Sequence, residues 1–127
     1  MKEPLFLTPA QVEGFHRRAL ELFGGLDGLR DRNAFESAVA QAQNVYWYAD
    51  GDLYAIAAAY GFYLAQAQAF LDGNKRTAAA AMLTFLKLNG VDTSHDLFSP
   101  LLQAMLAIAN HRLDRDGLAA ALRKLLP

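Results

Sequence analysis

Apolar positions recur every three or four residues along almost the whole chain, the spacing of a helix face rather than of a strand. Thr8-Pro9-Ala10-Gln11 reads as an N-cap, a Pro at the first helical position and a capping-box Gln. Val12, Phe15, Ala19, Leu22 and Phe23 then share one face, and Gly24-Gly25 stops the helix. Asp31 is placed to cap a second, short amphipathic helix in which Ala34, Phe35, Ala38, Val39 and Ala42 form the stripe. The pattern breaks at NVYWYADGD, whose aromatics and Asp50-Gly51 predict a hairpin-like or irregular flap.

From Leu53 to about Gln68 the chain is apolar on both faces. Leu53, Ile56, Ala57, Tyr60, Leu64 and Ala67 lie on one side and Tyr54, Ala58, Phe62 and Ala65 on the other, which predicts a helix at the centre of the molecule. A further helix runs from about Asn74 to Asn89, with Ala78, Met82, Phe85 and Leu86 inward and Gly90 where a left-handed C-cap belongs. Ser99-Pro100 opens another through LLQAMLAIAN. Asp114 caps the last, with Leu113 and Leu118 spaced as a hydrophobic staple. The expected fold is one all-α domain over residues 1–127, a compact bundle of about six helices with a short flap before the central helix.

Composition narrows the function. Hydrophobic residues make up 54% and charged residues 20% of 127, which favours a packed core over disorder. A formal net charge of -1 gives no broad basic face, so direct nucleic-acid binding is disfavoured and any anion site must be local. The absence of cysteine excludes disulfides and thiolate metal sites. The opening segment meets Pro4 and Pro9 before any apolar run, and no apolar stretch is long enough to span a membrane; a cytoplasmic protein is the expectation.

The local chemistry concentrates in FLDGNKRTA, Phe70 to Ala78. Lys75 and Arg76 stand at a helix start, where the macrodipole favours negative charge, so the position calls for an anionic ligand. Gly73 allows the backbone to approach such a ligand, and the N–H groups beginning near Asn74 form a cradle for it. Asp72 suits this setting if a hard cation such as Mg²⁺ sits between carboxylate and phosphate. The pattern therefore points to a metal-bound nucleotide polyphosphate. The plainer alternative makes Asp72 a helix cap and Lys75 and Arg76 solvated side chains.

These residues carry a family resemblance. FLDGNKRTA resembles the signature loop of the Fic/Doc superfamily, H-x-F-x-[DE]-[GA]-N-x-R, in the form of the death-on-curing (Doc) toxin branch; Phe70, Asp72, Gly73, Asn74 and Arg76 match. GLRDRNAFESAVAQAQ and the helices through FLKLNG are similar too. The resemblance implies that Asp72 coordinates Mg²⁺ and that Gly73 and Asn74 shape and hydrogen-bond the phosphate cradle. It further implies that Lys75 and Arg76 neutralise the phosphates of ATP or another nucleoside triphosphate, with Arg76 at the transition state and Phe70 as core anchor. Lys75 fills a position usually occupied by Gly in nucleotidyl-transferring members. The Lys form belongs with Doc, a protein kinase acting on elongation factor Tu.

One position departs. Where the family has its catalytic His, this chain has Gln68, a carboxamide that does not titrate and cannot serve as the general base. His16, His95 and His111 are far from the loop in sequence and read as surface or satisfied structural residues. Tyr46, Trp47 and Tyr48 in the flap either dock the protein target as an added strand or cover the core. The inhibitory motif [ST]-x-x-x-E-[GN] is not matched, since Thr8 to Glu13-Gly14 is one residue too long, so the resemblance implies inhibition in trans by an antitoxin. Two functions follow: a Doc-like toxin that blocks translation by phosphate or nucleotide transfer, crippled by Gln68, or a pseudoenzyme that only binds nucleotide or antitoxin.

Overall fold

The computed structural model describes residues 3–94 and 97–127. Six helices follow one another: α1 (Pro9–Phe23), α2 (Arg32–Ala49), α3 (Leu53–Ala67), α4 (Asn74–Leu88), α5 (Phe98–Ala109) and α6 (Arg115–Leu125). The starts of α1, α2, α3 and α6 are where capping residues put them, whereas α5 begins at Phe98 after Leu97 without a side-chain cap. Thr8 accepts from Gln11 N–H in a complete capping box, and the Asp31, Asp52 and Asp114 carboxylates accept from Ala34, Ala55 and Gly117 N–H. Each bond satisfies a donor that the helix itself leaves unpaired.

The all-round apolar α3 is the axis, packed against α2, α4, α5 and α6, while α1 lies across α4 and α2. Tyr60, Ile56 and the run Ala57-Ala58-Ala59 are fully buried. Small residues bring α3 and α4 close: a Cβ at Gly61 would stand 2.2 Å from Met82 Sδ. The N-terminal strap is tied by main-chain bonds to side chains. Leu7 N–H donates to Tyr60 Oη at 2.8 Å, and the Asn89 amide pairs with both backbone groups of Leu5. Among the described residues no helix is long and apolar enough to cross a membrane.

The flap is not there. α2 continues through Tyr46, Trp47 and Tyr48 to Ala49, and the break comes only at Asp50, in the left-handed region. Val45 is buried and extends the Phe35-Ala38-Ala42 stripe by another turn, while Tyr46 and Trp47 meet the Phe6 ring edge-on. Aromatic side chains in a helix lose only rotamer freedom, and burial against the strap outweighs that cost. A second difference lies on α1. Leu22 and Phe23 are exposed, and the buried face is Val12, His16 and Ala19.

Candidate functional site

The Phe70–Arg76 loop joins the two most buried helices and opens on a cleft of about 480 Å³. Gln68, Leu71, Asp72, Gly73, Asn74, Lys75 and Arg76 form one wall, and Ala65 with Leu102, Gln103, Leu106 and Ala109 of α5 forms the other. All the loop residues named from the sequence are thus brought together, except Phe70, which points inward. Phe70 is 3% exposed, stacked on the His16 ring at 3.8 Å and edge-on to Phe35. Its burial fastens the loop to the core.

Helix α4 starts without a side-chain cap. Its N-cap is Gly73 at φ 81°, a left-handed conformation that glycine adopts without strain, and no acidic residue occupies the first turn. The leading N–H groups and the positive end of the macrodipole are left facing the cleft lining, an arrangement suited to an anion. Lys75 is exposed there. The Arg76 guanidinium lies 4.1 Å above the Phe23 ring, which explains why α1 leaves that Phe uncovered. Arg76 Nε is buried and has no hydrogen-bond partner among the described residues. A donor kept from water in this way calls for a partner that the described residues do not supply.

Asn74 does not aim its amide at the cleft. Its Oδ1 accepts from Phe70 N–H at 3.0 Å and its Nδ2 donates to Phe70 O at 2.9 Å, so it shapes the cradle by closing the loop on itself. The Asp72 carboxylate is exposed and accepts the Leu26 N–H at 2.8 Å through Oδ2. The described residues contain no cluster of three or more His, Asp or Glu side chains able to hold a metal. One carboxylate beside a phosphate cradle fits Mg²⁺ that arrives on its nucleotide, since that ion commonly takes one or two carboxylates and completes its octahedron with phosphate and water.

Gln68 caps α3 in a left-handed conformation, φ 45° and ψ 47°, with its side chain exposed at the cleft. Its carbonyl accepts from Arg30 Nη2 at 2.7 Å, a cation on the negative end of α3. Neither His16 nor His111 supplies a base in its place: His16 is buried beneath the loop, and His111 lines a separate cleft with Arg112 and Asp114. His95 lies outside the described residues.

What supports the loop from outside leaves no local sign in the sequence. Leu29 and Phe70 form an antiparallel bridge in which Leu71 N–H donates to Gly28 O and Arg30 N–H to Ala69 O. Gly28 stands at φ 146°, a conformation that side chains rarely adopt, and a Cβ there would also come within 2.8 Å of Leu71 Cδ1. His16 was read as structural and is satisfied, with Nε2 2.8 Å from Asp72 O, yet it sits under the site. Its one signal was a polar residue in the Val12-His16-Ala19 register. Trp47, 54% exposed, and Tyr48, 84% exposed, are placed away from the cleft. α2 begins beside Ala69, and at 1.5 Å per residue Trp47 is roughly 22 Å further along its axis. None of Tyr46, Trp47 and Tyr48 lines the cleft that holds Gln68.

With the site defined, the chain can be compared with known proteins. A model of the Fic/DOC family matches residues 6–86, which takes in α1 to α3, the whole loop and α4 as far as Leu86. The chain belongs to the Fic/DOC family. Within that family it is Doc-like. It is 33% identical over 86 residues to the protein kinase doc of Escherichia phage P1, covering 67% of this chain and 68% of that one. It is 38% identical over 103 residues to the toxin Doc of Mycolicibacterium smegmatis, covering 79% of each.

Proposed function

We propose that this Fic/DOC chain is a Doc-like toxin of a toxin-antitoxin pair, whose cleft takes a Mg²⁺-bound nucleoside triphosphate such as ATP for transfer to a Ser or Thr hydroxyl of a protein target. The observation that carries the reading is the uncapped start of α4 at Gly73, sharing one cleft with an orphaned Arg76 donor and the Asp72 carboxylate. Asp72 would hold the metal, which when bound would draw charge from the phosphate oxygens. The Gly73–Arg76 backbone and Lys75 would cradle the phosphates, and the Arg76 guanidinium would meet the charge that develops on transfer. Elongation factor Tu is the candidate target, and γ-phosphate is the candidate group, because Lys75 fills the cradle.

The extended segment Leu26–Arg30 replaces residues 46–48 as the docking edge. Gly28 O and Arg30 N–H face the loop, so Leu29 turns its own N–H and carbonyl outward, beside Gln68 and free to receive a strand. Exposed Leu26, Leu71 and Leu106 around the cleft offer an antitoxin segment an apolar seat. Glu13 pairs with Arg32 at 3.2 Å and takes no part in the cleft, in keeping with inhibition from a separate chain.

Gln68 favours a second reading, a pseudoenzyme that binds nucleotide or antitoxin without turnover. A positioned base is worth on the order of 10²–10⁴ in rate, so its replacement leaves little activity. The two readings part on Gln68→His. Purified with Mg-ATP and elongation factor Tu, this variant is expected to place γ-label in the target and, when expressed, to arrest growth until antitoxin is supplied. α-Label in the target instead would assign nucleotidyl transfer. Bound ATP with no label of either kind would leave the pseudoenzyme.

A further inference from the structure

We propose that His16 is a positioning residue for the loop, setting Asp72 and the first cradle N–H at Gly73 through the peptide that joins them. The inference rests on the reading above for what Asp72 does, but its structural part stands alone. His16 is 3% exposed on α1, and its Nε2 lies 2.8 Å from Asp72 O. A carbonyl only accepts, so Nε2 carries the proton and donates it. The Asp72 carbonyl and the Gly73 N–H belong to one rigid trans peptide and point in opposite directions. Holding the oxygen against α1 therefore turns the Gly73 N–H to the side away from His16.

The ring does a second job by stacking on Phe70 at 3.8 Å and 12° between planes. An apolar ring would serve for that contact alone. A nitrogen donor in so buried a place is costly unless bonded, and the bond it makes is to the backbone of the residue assigned to the metal. The remaining ties on the loop come from its own Asn74 and from the extended segment: Asn74 on Phe70, Gly28 on Leu71, and Leu26 on the Asp72 carboxylate. With Asp72 O released, the 72–73 peptide can rotate and carry the carboxylate off the Leu26 N–H.

The test separates ring from donor. His16→Phe keeps the stack and loses the N–H; His16→Gln keeps a donor near Nε2 and loses the ring. Amide hydrogen exchange at Leu26, whose N–H is bonded to the Asp72 carboxylate, is expected to quicken about tenfold in His16→Phe, the net worth of one hydrogen bond, and to be largely restored in His16→Gln. In isothermal titration, the Mg²⁺ concentration that half-saturates ATP binding should rise about tenfold in His16→Phe. Unchanged exchange at Leu26 in His16→Phe overturns the proposal and leaves His16 as packing. A loss of folding common to both variants overturns it too, whereas loss in His16→Phe spared by His16→Gln supports the donor. If the unaltered protein binds no nucleotide, the nucleotide reading falls and the exchange result alone decides His16.

Discussion

Phe70 and Lys75 stand five residues apart in one loop and answer to different physics. Phe70 is enclosed by His16 and Phe35, so Phe70→Ala removes a large buried side chain and its ring contacts and is expected to cost about 3 to 5 kcal/mol by denaturant unfolding. Lys75 is exposed at the positive end of α4. Lys75→Ala should leave stability unchanged or raise it by a few tenths of a kcal/mol, since it relieves a cation at the helix start. Equal losses from the two substitutions would show the start of α4 to be misassigned. Arg76 is the residue on which ligand binding is expected to turn. Millimolar Mg-ATP should raise the melting temperature by mass action, and Arg76→Ala should abolish the rise. Mg²⁺ without nucleotide should do nothing, because a single carboxylate is a poor site for it.

At the scale of elements, the tightest constraint is the approach of α3 to α4. Alanine is the better helix former by about 1 kcal/mol, so Gly61→Ala would stabilise an isolated α3. In the fold its Cβ meets fully buried Met82, 2.2 Å from Sδ, 2.8 Å from Cγ and 2.9 Å from Cε, so that side chain has to shift as a whole. Overpacking of this kind costs typically 1 to 3 kcal/mol. Net destabilisation in a urea melt is therefore expected, and a stabilised Gly61→Ala would mean that the two helices do not touch there. The element that sequence misjudged was α2. Tyr46, Trp47 and Tyr48 looked like a flap because aromatics and an Asp-Gly pair gather there, but the buried Val45 keeps the 3.6-residue period going until Asp50. The consequence reaches function, because it moves the aromatic cluster to the far pole of the molecule and leaves the extended segment before α2 as the edge next to the cleft.

For the molecule as a whole, Tyr60 ties the N-terminal strap to the central helix. Burial pushes its hydroxyl up to about 12, against the partial opposing effect of its bond to Leu7. The folded state thus holds the proton more tightly than the unfolded chain, in which a Tyr ionises near 10. The corresponding stability is fully present below about pH 10 and is lost as pH rises toward 12. At about 1.4 kcal/mol per pH unit the loss reaches on the order of 2 kcal/mol. Tyr60→Phe should be less stable at neutral pH, by about 1 to 3 kcal/mol for the unpaired Leu7 N–H, and its stability should fall less steeply over that alkaline window. A parallel fall in both proteins would mean that Tyr60 is not the group responsible.

What the sequence alone determined was what acts over a few residues. Thr8, Asp31 and Asp114 reach donors three positions ahead, so the starts of α1, α2 and α6 were legible, and the all-round apolar pattern placed α3 at the centre. The loop from Phe70 to Arg76 was legible for the same reason, its chemistry being contiguous. Tertiary structure decided what holds that loop and what it faces. Arg30 reaches Gln68 across 38 residues, Leu26 reaches Asp72 across 46, and His16 reaches Asp72 across 56. No periodicity encodes such pairs, because each exists only once α1 and the extended segment are laid against the loop by the burial of residues elsewhere in the core.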